Sequence, residues 1–188
     1  MRLIRLRLLY PLVMAWAALW VLSACSPALN WRSVHVPDTS LSIMLPCKPD
    51  HAARDVDWDM GKARLHMLGC KADGSLYTIA HLSVAQAADA PLVLERWRQS
   101  LQAQWQLPND APGGPAFAIP GALELPQARH MQWQGRDARG AAAFADVRWF
   151  VQLEGQGARL YQAMVLSTGR PVATAALETF VQGLQLQR

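Results

Sequence analysis

His66, His81 and Cys70 are the residues whose types most invite chemistry, and the chemistry would be metal binding. Spacing argues against one shared ion. His66 and Cys70 are four residues apart on what reads as a single strand, about 13 Å at about 3.3 Å per residue. A tetrahedral zinc needs every ligand within about 2.3 Å of the ion. A facing pair of histidines could hold a metal only with outside ligands, so neither a metal nor a cofactor is expected. Asp55-Val56-Asp57-Trp58-Asp59 begins like a calcium loop. However, Met60 stands where that loop requires glycine, and His66 stands where it requires a bidentate glutamate. The carboxylates read instead as the solvent face of a strand, where they discourage edge-to-edge pairing. There is no Gly-x-Ser-x-Gly elbow and no P-loop. Gly155-Gln156-Gly157 opens like a dinucleotide fingerprint, but Leu160 occupies the place of the third glycine. The spacing of His, Asp and Ser proposes no triad, so no catalytic residue is assigned.

The elements that must position these residues are mostly strands. Leu41, Ile43 and Leu45 alternate with Ser42 and Met44 up to Pro46. Val56, Trp58 and Met60 alternate with the three aspartates as a second strand. Ala63 to Lys71 and Leu76 to Val84 read as a hairpin about Asp73-Gly74. A two-residue turn there sets Ala72 opposite Ser75, Cys70 opposite Tyr77 and His66 opposite His81. The period then changes. Asp89 can cap a helix, Pro91 suits its first turn, and Leu94, Trp97, Leu101 and Trp105 share one face. Glu95, Gln99, Gln102 and Gln106 fall on the polar side. Pro108 to Pro115 reads as an exposed loop. Strands at His130 to Trp133, Ala141 to Leu153 and Arg159 to Leu166 follow, and Pro171 opens a last helix with Val172, Ala176, Phe180 and Leu184 inward. Hairpin-linked strands with segregated helices predict an α+β fold, an antiparallel sheet of two meanders with a central and a C-terminal helix. The six tryptophans beyond residue 30 read as core, with a groove between the central helix and the sheet as the ligand-binding alternative.

The first 24 residues are of a different kind. Arg2, Arg5 and Arg7 precede an apolar run from Leu8 to Val21, broken by Pro11 and shorter than the about 20 residues of a spanning helix. Leu22-Ser23-Ala24-Cys25 resembles a bacterial lipobox. The resemblance implies that Cys25 is acylated and becomes the first mature residue. It also implies a class carrying three acyl chains; at about 0.8 kcal/mol per buried methylene, such an anchor is effectively permanent. Ser26, in place of the inner-membrane retention aspartate, implies sorting to the periplasmic face of the outer membrane. Three of the 18 Lys and Arg residues leave with the leader, so 15 remain against 14 acidic residues. The basic balance of the whole chain is thus a targeting feature, and no nucleic-acid partner is expected. The boundaries that follow are 1–24 as lipoprotein signal peptide, 25–40 as lipidated tether and 41–188 as a single α+β domain.

With Cys25 acylated, Cys47 and Cys70 are the two remaining cysteines. Two thiols in an oxidising compartment pair, and neighbouring strands supply the Cα separation of about 4.4–6.8 Å that a bridge needs. A redox role is disfavoured by the lack of Cys-x-x-Cys spacing.

A strand ending in a proline turn (Leu41 to Pro46), an early meander, a central helix, Pro120-Gly121, a second meander carrying Arg159-Leu160-Tyr161 and a last helix with Glu178-Thr179-Phe180 resemble the PsbP/Mog1-like fold of small bacterial envelope lipoproteins. The resemblance spans Leu41 to Leu186 and transfers no activity. The functional expectation is a non-catalytic, lipid-anchored envelope protein that binds or supports another envelope component. The alternative is a periplasmic ligand carrier or enzyme with a pocket near His66, His81 and Tyr77.

Overall fold

The computed structural model describes residues 28–58, 61–105, 114–137 and 139–187. The leader 1–24, Cys25, Asp59, Met60 and most of the 108–115 loop lie outside the described residues. In chain order the elements are β1 (Arg32–His35), β2 (Leu41–Leu45), β3 (Asp50–Trp58), β4 (Gly61–Ala72), β5 (Ser75–Val84) and a 3-10 turn (Ala87–Asp89). They continue with α1 (Ala90–Gln104), β6 (His130–Arg136), β7 (Ala142–Glu154), β8 (Gly157–Thr168), α2 (Thr174–Gln182) and β9 (Gln185–Leu186). The protein is α+β and mostly strand, with two antiparallel sheets and two helices.

The large sheet has six strands in the order β3-β4-β5-β8-β7-β6. It is two meanders, β3-β4-β5 and β6-β7-β8, joined where the last strand of each pairs antiparallel with the other. Asp73 and Gly74 both have positive φ, 47° and 72°. That is the geometry of the tight hairpin turn such a dipeptide favours. The register it sets is the expected one: Ala72 opposite Ser75, Cys70 opposite Tyr77 and His66 opposite His81.

Each face of this sheet carries its own core. On one face α1 lays Ala90, Val93, Leu94 and Trp97 on Leu82, Val147, Trp149, Val151 and Leu160, with Leu101 and Trp105 packed at the margin. The predicted inner face of the helix is therefore the buried one. At the margin of the groove between α1 and the sheet, Trp105 stacks on Trp133 of β6 at 5.0 Å. Two local readings change. Asp89 makes no side-chain cap bond, because the chain enters α1 through the 3-10 turn and Asp89 is already helical in its backbone. Gln102, expected among the solvent-facing glutamines, is buried.

The opposite face is covered by a second, three-stranded sheet, β1-β2-β9, together with α2. Leu41, Ile43 and Leu45 of β2 and Phe180 of α2 meet Leu68, Tyr77, Ile79, Phe150, Tyr161 and Val165. Leu41, Ile43 and Leu45 form the strand their alternation predicts, but the strands divide into two sheets where the sequence predicts one. β1 lies within the stretch 25–40 assigned to the tether, and its pairing with β2 puts Arg32–His35 in the folded sheet. β9 pairs through two residues, Leu186 with Leu41 and Gln185 with Ser42. An alternation of two residues carries no periodic signal. Gly183 closes α2 against β2 so tightly that a Cβ there would lie 2.5 Å from Met44 Cβ. Among the described residues no helix is long and apolar enough to cross a membrane.

Candidate functional site

Cys47 follows β2 directly and Cys70 lies near the end of β4. The two form a disulfide with Cα atoms 6.0 Å apart, closing a span of 23 residues. The bridge ties the three-stranded sheet to the six-stranded one. Cross-linking removes loop entropy from the unfolded chain. Replacing both cysteines by alanine is expected to lower stability by about 3 kcal/mol, read as a shift in the urea midpoint under non-reducing conditions. An unchanged midpoint would show that the bridge adds nothing to the fold.

The opposed histidines are where the hairpin register puts them, but they are not a solvated pair. His81 is 3% exposed and stacks on His66 with ring centroids 5.0 Å apart and planes 8° from parallel. Arg159 on β8 places Nη1 at 3.2 Å from His81 Nδ1, while its Nε donates to Glu154 at 2.6 Å. A guanidinium can only donate, so His81 Nδ1 accepts and the imidazole is neutral with its proton on Nε2. Burial, reinforced by Arg159 and then His66 and opposed by Asp38, lowers the His81 pKa from 6.5 to about 4. His66 and His81 line a cleft of about 210 Å³ with His51, Val36, Pro37 and Leu68. Tyr77, expected to share this pocket, does not line it. It is buried further along β5, edge-on to Trp31 at 5.8 Å and to Phe180 at 5.7 Å. The tyrosine that approaches His81 is Tyr161, at 6.0 Å between ring centroids.

This arrangement makes stability depend on pH with a definite sign. The folded chain binds the His81 proton only near pH 4, whereas the unfolded chain binds it near 6.5. The contribution is therefore complete above about pH 6.5 and is lost as pH falls through about 4. Its upper limit is about 3 kcal/mol. Urea unfolding at pH 7 and at pH 4.5 measures it, and His81→Gln should flatten the difference. The same pH slope in that variant would refute the assignment.

A second polar cluster, which the sequence reading missed, lies on the other meander. Asp146 of β7 is 5% exposed and sits on the face covered by the small sheet. Its Oδ2 accepts from Gln132 Nε2 at 3.0 Å and contacts His130 Nε2 at 2.8 Å. Arg148 donates to its Oδ1. Arg148 itself is 9% exposed, with its guanidinium carbon 5.6 Å from the centre of the Phe117 ring. Burial pulls the Arg148 pKa down, and Asp146 opposes that shift. Register explains the assembly: β6 sets Gln132 opposite Asp146 and His130 opposite Arg148. The available signal was the charged pair Asp146-Val147-Arg148 inside an otherwise apolar strand, with two more polar residues of matching parity on β6.

The carboxylate is thus occupied by three donors, and His81 is held by Arg159. Neither cluster pairs a nucleophile with a free base. Cys25 lies outside the described residues, and Asp55 and Asp57 are exposed on β3, where Asp55 pairs with Arg64 at 3.0 Å. Among the described residues no three His, Cys, Asp or Glu side chains are arranged to hold a metal ion. No family model and no curated protein matches the chain.

Proposed function

We propose that this protein is a lipid-anchored component of a bacterial cell envelope, held by an acylated Cys25 at the periplasmic face of the outer membrane. Its domain, of PsbP/Mog1-like type, binds or supports another envelope component and catalyses no reaction. The observation that carries this reading is the Cys47–Cys70 bridge. Disulfides persist in oxidising compartments, and the leader ending in Leu-Ser-Ala-Cys is a route into one. The fold assignment draws support from two meanders, each followed by a helix, merged into one antiparallel sheet. The non-catalytic role draws support from the engagement of Asp146 and His81 with neighbouring side chains, which leaves them structural work.

Mass spectrometry of the mature N-terminus tests the anchor. A lipid-modified Cys25 is the expected result. A chain that retains Met1, or that starts at an unmodified residue, would overturn the proposal. Cross-linking in intact cells should then recover a second envelope protein, and a Cys25→Ser variant should lose that partner by losing its place at the membrane.

A further inference from the structure

The face of the second meander holds a cleft of about 350 Å³ between β6, β7, β8 and the start of α2. Its volume is within the range of small-molecule sites, and its lining has their composition, mostly apolar with a few convergent polar groups. Phe144, Val172 and Leu177 supply carbon, and Asp146, Ser167 and Thr174 supply polar atoms. Ser167 is the telling residue. It is 3% exposed, it lines the cleft, and its buried Oγ has no hydrogen-bond partner. A buried hydroxyl left unsatisfied costs about 1–3 kcal/mol, which a ligand group would recover. Thr174, the first residue of α2, stands on the same cleft, and Ala173 before it makes no side-chain cap bond. In that first turn Ala176 N–H already donates to Ala173 O at 3.0 Å, so the N–H groups of Thr174 and Ala175 are the ones left to meet an acceptor.

We infer that this cleft is a binding site for a small neutral amphiphile, with an apolar body against Phe144, Val172 and Leu177 and one hydroxyl or carbonyl oxygen at Ser167 and the start of α2. The head group is neutral because the charges at the site are already balanced. Asp146 is paired with Arg148 and accepts from Gln132, so a ligand cation finds a carboxylate that is already engaged. A ligand anion would enter beside that same buried carboxylate with no unpaired cation to meet it. The site does not depend on how or where the chain is anchored.

Photolabelling of the full chain in phosphatidylcholine vesicles tests the site, using a diazirine-bearing octanol and the matching octanoate. The alcohol should label peptides of β6, β7 or the start of α2 at least about tenfold above α1, and above the octanoate by a similar factor. Val172→Trp and Leu177→Trp each fill the cleft from a different wall and should abolish that labelling. Ser167→Ala should reduce it about fivefold. Thermal unfolding identifies any variant that fails to fold, and either tryptophan variant suffices. Labelling no higher than at α1, or labelling unchanged in a folded tryptophan variant, would overturn the site. Equal labelling by the octanoate would overturn the neutral head group.

Discussion

Asp146→Ala is expected to destabilise the protein by about 3–5 kcal/mol, because it strands the Arg148 guanidinium in the core without its counter-charge. Both side chains are nearly removed from water, Asp146 at 5% and Arg148 at 9% exposure. Breaking such a pair from one side costs far more than the pair contributes, since desolvation has already been met on both partners and is then uncompensated on one. Gln132 and His130 also lose their acceptor. The cost should fall sharply in the double variant Asp146→Leu with Arg148→Met, which removes both charges and keeps volume. Urea denaturation of the single and double variants measures this. A single-variant loss below about 1 kcal/mol, the range of an exposed pair, would show that the cluster is solvated in solution.

Trp97→Ala is expected to cost a similar amount, about 3–5 kcal/mol, through the cavity it leaves between α1 and the sheet. Trp97 is buried in the core that α1 shares with Trp149 and Leu160. Gln99, two residues on, is exposed, and its amide donates to Glu95 at 2.9 Å on the helix surface. Gln99→Ala should therefore change stability by less than about 0.5 kcal/mol. Equal effects at the two positions would mean that the helix does not present this face to the sheet.

Much of the local structure was legible in the residues. The Asp73-Gly74 turn states both its own conformation and the pairing of the strands it joins, so His66 and His81 were placed opposite each other correctly. Their environment was not legible. Whether His81 is wet or dry depends on Arg159 and Tyr161, about eighty residues away on a strand whose partner no local signal names. The same limit hid the Asp146 cluster, where charge inside an apolar strand was visible but its partners on β6 were not. It also misplaced Tyr77, whose position along β5 was known but whose neighbours come from the covering layer.

Neighbouring residues along the chain are enough to specify the hairpin register, the buried stripe of α1, the strand character of Leu41–Leu45 and the α+β class. Turn geometry and side-chain periodicity act over a few residues, so they can be read directly. The merging of the two meanders through β5 and β8, and the return of β9 to β2 that closes the small sheet, emerge only in the assembled fold. Those pairings join segments far apart in the chain. Their advantage comes from burying both faces of the large sheet together, a property that no single segment carries.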